Sequence, residues 1–188
     1  MSTPIQPKRP QIGFKAPEFK LYDVVSGDPL SLKALMGDKG TVVIFLANHC
    51  PYVKHVQEEI VRVANDYQVT GFGFVAISSS DFEAYPEDAP QQMLEVAREN
   101  DYSFPYLLDE NQAVAKAYAA SCTPDFYVFD DALKMTYHGQ LDDSRPQNNI
   151  TLSGTSLRRA LDAILSNGPP LKYQKASMGC SIKWKKLS

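Results

Sequence analysis

The stretch TVVIFLANHCPYV, residues 41–53, joins a predicted strand to a predicted helix and decides the fold. Its first seven residues are β-branched or apolar on both alternating faces, which is typical of a strand covered on both sides of a sheet. From Pro51 the apolar residues recur at spacings of three and four, which predicts an amphipathic helix. Proline suits the first turn, where its missing N–H has no partner. Cys50 is therefore expected at the start of a helix, directly behind a buried strand.

The rest of the chain predicts further strands and helices around this unit. FKLYDVV and LSL, separated by SGDP, predict an N-terminal β-hairpin. Later elements are predicted as a strand at 71–79, a helix at 89–100, an extended FPYLL, a helix at 111–120, a hairpin of 125–130 with 133–140, and a helix at 154–167 capped by Thr155 or Ser156. Parallel strands joined by helices and closed by a hairpin predict an α/β sandwich with a mixed sheet.

Length and composition predict one globular domain with short extensions. The 188 residues include 44% hydrophobic and 22% charged residues, ordinary values for such a domain. We assign residues 1–13 to an N-terminal arm, 14–168 to the domain, and 169–188 to an irregular C-terminal tail.

Charge and hydropathy exclude two classes of partner. The net charge is -3 and the basic residues are scattered, so no nucleic-acid-binding face is expected. The longest apolar run, VVIFLA, is too short to cross a membrane, and the first residues lack a signal-peptide core. A cytoplasmic location is therefore expected, where the three cysteines would be free thiols rather than structural disulfides.

Three stretches resemble the thioredoxin superfamily, in its peroxiredoxin-like (AhpC/TSA-like) branch. They are TVVIFLANHCPYV, FPYLLDENQAVAKAY and CTPDFYVFD, and the resemblance covers about residues 14–168. It implies a thioredoxin fold, a three-layer α/β/α sandwich with a mixed central sheet. It also implies a cis peptide bond between Thr123 and Pro124 and a Thr123 backbone that faces Cys50 and pairs with an extended substrate.

The motif departs from both branches of the superfamily. Thioredoxins carry C-x-x-C, and here the second position is Val53. Peroxiredoxins have their peroxide-attacking cysteine at that second position and a threonine three residues earlier, where Cys50 stands. The chain resembles a subgroup with a single thioredoxin-type cysteine and a GCSIKW-like tail. That resemblance implies thiol redox chemistry without fixing the reaction.

The position of Cys50 predicts a nucleophilic thiolate. Unpaired N–H groups and the dipole at a helix start lower the pKa of a cysteine from about 8.5. His49 and Lys54 would add positive charge nearby, and Pro51 supports the helix start. Such a thiol should be open to solvent. The alternative is that Cys50 is a small buried residue of the core.

The topology brings one more loop toward this thiol. If Pro124 lies near Cys50, strand 125–130 runs away and its partner returns, so LDDSRP (141–146) ends close by. Arg145 would then stabilise the thiolate, and Asp142 or Asp143 would orient Arg145 or transfer a proton. The alternative is a solvated turn.

With Val53 in the motif, another thiol must resolve a mixed disulfide on Cys50. The candidates are Cys180 in the tail, Cys122 before the proline, and an external thiol such as glutathione or a partner protein. The alternatives are a Cys180 that is pinned beneath Trp184 and a Cys122 whose side chain is buried.

No metal or other cofactor is predicted, because His49 and His55 belong to no well-spaced set of ligands. The main hypothesis is a thiol–disulfide oxidoreductase that acts on a disulfide-containing protein or a small thiol substrate. One alternative is a peroxidase that forms a sulfenic acid on Cys50. The other is a non-catalytic module that binds extended peptides.

Overall fold

The computed structural model describes residues 9–186, which form a seven-stranded mixed sheet with helices on both faces. The strands are β1 (Lys20–Asp23), β2 (Pro29–Ser31), β3 (Gly40–Leu46), β4 (Phe72–Ser78), β5 (Tyr106–Leu108), β6 (Cys122–Thr123), β7 (Asp125–Asp130), β8 (Met135–Gly139) and β9 (Cys180–Ser181). The helices are α1 (Leu32–Leu35), α2 (Pro51–Gln68), α3 (Pro90–Glu99), α4 (Ala113–Ala117) and α5 (Thr155–Leu165), with a 3₁₀ turn at Pro86–Asp88. The predicted α/β sandwich is confirmed.

The large sheet has the order β2-β1-β5-β4-β3-β7-β8. Central strand β3 pairs in parallel with β4 and antiparallel with β7. Alternate β3 residues enter two separate apolar layers: Ile44 belongs to the layer with α2 and α5, and Phe45 to the layer with α1 and α4. This explains why β3 is apolar along its whole length, since both of its faces are covered.

The start of α5 differs from the predicted cap. Its N-cap is Gly154, with a φ of 62° and no side-chain cap, rather than Thr155 or Ser156. The carbonyl of Leu141 accepts the N–H groups of Ser156 and Leu157 in the first turn, at 3.0 and 3.1 Å, and so takes the place of a side-chain cap. The carboxylate of Asp142 accepts the N–H groups of Ser153 and Gly154 at 2.8 Å each and fixes the segment just before the helix.

The C-terminal tail is more ordered than predicted. Its strand β9 pairs antiparallel with β6 to form a second, two-stranded sheet. Most of the predicted N-terminal arm, residues 1–8, lies outside the described residues. Within the described part of the chain, no helix has the length and apolar character needed to cross a bilayer.

Candidate active site

Cys50 is the N-cap residue of α2, as the sequence predicts. It has extended backbone angles (φ -78°, ψ 118°), and Pro51 is the first residue of the helix. The carbonyl of Cys50 accepts the N–H of Lys54 at 3.1 Å, which closes the first helical turn. No side chain caps the remaining N–H groups at this end, so their positive field surrounds the cysteine.

The cis-proline loop lies directly against the Cys50 sulfur. The Thr123–Pro124 peptide bond is cis, as predicted. The Cys50 thiol donates a hydrogen bond to the carbonyl of Thr123 at 3.2 Å. The pairing of Asp125 in β7 with Phe45 in β3 places this loop at the end of β3, beside the start of α2. The sheet register therefore brings together Cys50, Thr123 and Pro124.

The tail brings Cys180 to the same place. Cys180 pairs with Thr123 in the β6–β9 ladder and packs against the apolar cluster that contains Cys50. Burial, followed by the interaction with Cys50, raises the pKa of Cys180 to about 11. Cys180 is thus a neutral thiol at pH 7, close to Cys50. All three cysteines are free.

Solvent access to Cys50 differs from the prediction. The residue is 0% exposed, whereas a reactive thiol was expected to be open to solvent. Cys50 belongs to the apolar core layer with Ala47 and Val53, which is the alternative that the sequence left open. Gly179 of the tail lies against the neighbouring Thr123 carbonyl, a contact between distant segments that the local sequence does not reveal.

Cys122 is close to this pair but is held differently. It lies on β6, and burial, followed by the charges of Asp125 and Cys50, raises its pKa to about 12. Cys122 is therefore a protonated thiol at pH 7, close enough to Cys50 for their charges to interact.

The side chain of His49 is held by Asp88, a residue that the sequence analysis did not single out. Its Nδ1 contacts the carboxylate of Asp88, which is fully buried and also accepts the backbone N–H of Asn48 at 2.5 Å. The ring of Tyr85 packs on the His49 ring with centroids 4.8 Å apart. Asp88 thus fixes the backbone just before Cys50. Its only sequence signal is an acidic residue within a Pro-bounded loop.

The loop 141–146 approaches the site, but its polar groups bind one another. The Arg145 guanidinium donates to the carbonyls of Asp142 and Ser144 at 2.6 Å each and contacts the Gln140 side chain. Arg145 lines a narrow cleft of about 10 Å³ together with Pro124, Tyr52, His55 and the tail. The carboxylate of Asp142 accepts hydrogen bonds from the N–H of Ser153, just before α5, and from the N–H of Ser144. Stabilisation of the thiolate by Arg145 therefore stays a prediction.

A second polar cluster, missed from sequence, lies behind the cis-proline. Asp125 is 3% exposed and accepts hydrogen bonds from Tyr127 at 3.2 Å and from the tail residue Ser177 at 2.6 Å. His138 Nε2 lies 3.0 Å from the same carboxylate. Asp125 follows the proline directly, so this cluster joins the cis-proline loop to the tail.

No group of three or more potential metal ligands lies together in residues 9–186. The thiols, the helix start and the cis-proline carbonyl are the chemical groups of the site.

Comparison with known proteins identifies the family. The model of the AhpC/TSA family matches residues 12–138, which include Cys50 and the cis-proline. The chain belongs to the AhpC/TSA family. Membership confirms the predicted peroxiredoxin-like branch of the thioredoxin superfamily.

The chain is also similar to several solved structures. A conserved protein from Geobacillus kaustophilus, described as uncharacterized, has 55% identity and a TM-score of 0.94, covering 97% of this chain and 96% of that one. A hypothetical protein from Sinorhizobium meliloti 1021 has 38% identity and a TM-score of 0.92, covering 95% and 97%. A peroxidoxin from Mycobacterium tuberculosis, at 19% identity, TM-score 0.60 and coverage of 82% and 96%, shares the fold. No curated protein matches the chain.

Proposed function

We propose that this AhpC/TSA-family protein is a thiol–disulfide oxidoreductase in which Cys50 is the nucleophile and Cys180 the resolving thiol. The observation that carries the proposal is the position of two thiols around Thr123: Cys50, at the start of α2, donates to the Thr123 carbonyl, and Cys180 pairs with Thr123 in the β6–β9 ladder. Two thiols close together at a helix start suit disulfide exchange.

The reaction runs in two exchanges. The Cys50 thiolate attacks one sulfur of a substrate disulfide, forms a mixed disulfide, and releases the other substrate sulfur as a thiolate that takes up a proton. The Cys180 thiol then loses its proton and attacks the Cys50 sulfur, which releases the second substrate thiolate and leaves a Cys50–Cys180 disulfide. An external thiol reduces this disulfide and completes the cycle.

The neighbouring groups support this division of roles. The helix start stabilises negative charge at Cys50, whereas the negative charge of Cys50 raises the pKa of Cys180. Cys180 therefore holds its proton until Cys50 has lost its charge in the mixed disulfide. We propose a disulfide-containing protein or a small thiol compound such as glutathione as the substrate, and the cytoplasm as the location.

The test is the reduction of a fluorescent peptide disulfide with dithiothreitol as electron donor. We expect Cys50→Ser to remove the activity above background, while Cys122→Ser keeps it, because only Cys50 lies at the helix start. Full activity in Cys50→Ser would reject the proposal and favour a non-catalytic peptide-binding module. Slow exchange in the wild type together with fast consumption of hydrogen peroxide, lost in Cys50→Ser, would favour the peroxidase.

A further inference from the structure

A buried carboxylate, that of Asp88, holds the histidine that directly precedes Cys50. Asp88 is 0% exposed, and its ion-pair partner is His49. Its Oδ1 atom accepts the backbone N–H groups of Asn48 at 2.5 Å and of His49 at 3.3 Å, while its Oδ2 atom contacts His49 Nδ1. The His49 side chain is therefore the partner that a buried carboxylate requires.

These contacts determine which nitrogen of His49 carries a hydrogen. A carboxylate accepts hydrogen bonds, so Nδ1 carries the hydrogen that faces Asp88. The other nitrogen, Nε2, is buried and has no hydrogen-bond partner among the described residues. A buried polar atom without a partner costs free energy and calls for an explanation. An imidazole that a carboxylate holds at Nδ1 and that is unpaired at Nε2 is the form that accepts a proton in acid–base catalysis.

His49 lies between the start of α2 and a surface loop that contacts the tail. The ring of Tyr85 packs on the His49 ring with centroids 4.8 Å apart, and Lys183 Nζ lies 5.5 Å from the centre of the Tyr85 ring. The carbonyl of Lys183 accepts the N–H of Asp81, in the same loop, at 2.9 Å. Because Lys183 belongs to the tail that carries Cys180, these contacts bring the tail to the loop that holds the His49 ring.

We propose that His49 transfers the protons of the disulfide exchange through Nε2 and that Asp88 positions it for this role. The proposal rests on Cys50 as the nucleophile and Cys180 as the resolving thiol of the proposed function, and it adds where their protons go. Movement of Tyr85, an exposed side chain of the surface loop, opens Nε2 to the sulfur atoms of the reaction.

Each exchange moves one proton by way of His49. In the first, Nε2 accepts the proton of the Cys50 thiol, the thiolate attacks the substrate disulfide, and the imidazolium donates the proton to the substrate thiolate that leaves. In the second, Nε2 accepts the proton of Cys180, Cys180 attacks the Cys50 sulfur, and the second substrate thiolate leaves with that proton. Each exchange breaks one S–S bond and forms another, and the substrate disulfide is the only oxidant.

The experiment separates proton transfer from nucleophilic attack by the basicity of the leaving group. It uses the full chain with Cys122→Ser and Cys180→Ser, so that Cys50 is the single thiol, and it measures one exchange with each of two disulfides. The disulfide 2,2′-dithiodipyridine releases thiopyridone, a weakly basic leaving group that gains little from protonation. Bis(2-hydroxyethyl) disulfide releases a strongly basic alkyl thiolate, which gains most. Thiopyridone absorbance and the intact mass of the hydroxyethyl adduct give the two rates.

We expect His49→Asn to lower the ratio of the alkyl rate to the thiopyridyl rate at least about tenfold, because general acid–base catalysis contributes about 10²–10⁴-fold. The asparagine amide keeps a donor near the place of Nδ1 and has no counterpart of Nε2. A damaged structure or a smaller amount of thiolate would lower both rates by the same factor and leave the ratio unchanged.

A second pair of variants tests the positioning role of Asp88. Asp88→Asn should also lower the ratio, because an NH₂ group in place of Oδ2 donates to Nδ1 and moves the hydrogen of His49 to Nε2. Glu87→Gln is the matched control, since this neighbouring side chain is exposed, and it should leave the ratio within twofold.

An unchanged ratio in His49→Asn, or equal ratios in Asp88→Asn and Glu87→Gln, would overturn the proposal. If His49→Asn fails to fold by circular dichroism, the comparison of Asp88→Asn with Glu87→Gln decides it. Failure of the proposed function would look different, since neither disulfide would then react with Cys50 in the parent chain.

Discussion

Strands β6 and β9 form one small sheet, and each carries a cysteine near Cys50, yet the two cysteines differ in how they are held. Burial and the nearby charges of Asp125 and Cys50 raise the pKa of Cys122 to about 12. Cys180 pairs with Thr123, whose carbonyl accepts the Cys50 thiol, and it belongs to a tail that Ser177 anchors to Asp125. The proposed role of Cys180 as the resolving thiol rests on this difference.

The largest expected effect is a difference in turnover between variants of Cys180 and of Cys122. We expect Cys180→Ser to lower multiple-turnover reduction of a peptide disulfide on the order of a hundredfold, because an external thiol at millimolar concentration replaces a preoriented one. A mixed disulfide on Cys50 should accumulate and be visible by intact mass. Cys122→Ser should stay within about twofold of wild type. Equal losses in the two variants would remove the distinction between them.

A smaller effect is expected when the tail loses its upstream anchor. Ser177→Ala deletes the hydrogen bonds to Asp125 and Gly139, a loss of about 1–3 kcal/mol in tail docking. The N–H of Ile182, which donates to the Ser121 carbonyl at 3.0 Å, should then exchange with deuterium about tenfold faster. Amides of β3 should not change. Faster exchange in both places would mean that the tail and the core open together.

The smallest effect concerns the protonation of Cys180. The pKa of Cys180 in the folded protein, about 11, lies above its ordinary value of 9.0. The neutral thiol therefore stabilises the docked tail fully below pH 9, and this stabilisation is lost as the pH rises through 11. In a Cys122→Ser chain, the protection factor of the Ile182 amide, which is corrected for base-catalysed intrinsic exchange, should fall over this window, and adding Cys180→Ser should flatten the fall.

The same titration sharpens the link between Cys180 and Cys50. Replacing Cys50 by serine removes a negative charge next to Cys180, so the pKa of Cys180 should fall, although burial keeps it above 9.0. The pH dependence of Cys180 alkylation in Cys122→Ser, with and without Cys50→Ser, measures the shift. An unchanged profile would show that the two thiols do not interact.

Sequence reasoning predicts the unit of β3 and α2 because its signals are local. The apolar run of 41–47, the helical spacing after Pro51 and the order of helix, Thr-Pro and strand each lie within a short window. The first two features locate Cys50 at a helix start, and the resemblance to the thioredoxin superfamily implies that Pro124 lies beside it.

The remaining features of the site depend on contacts between residues far apart in the chain. Strand β9 has only two residues, too few to show a period, and its partner is β6. The roles of Asp88 and Asp142 come from carboxylates that bind backbone N–H groups of other segments. Cys50 is packed in the core layer beneath α2, so the predicted exposure was wrong.

The most direct test of the central claim is peptide mass mapping of the full chain under non-reducing conditions after oxidation by one equivalent of a small disulfide. The account predicts a peptide cross-linked between Cys50 and Cys180, with Cys122 still free. A Cys50 that stays unmodified, or that pairs with Cys122 while Cys180 is free, would contradict it.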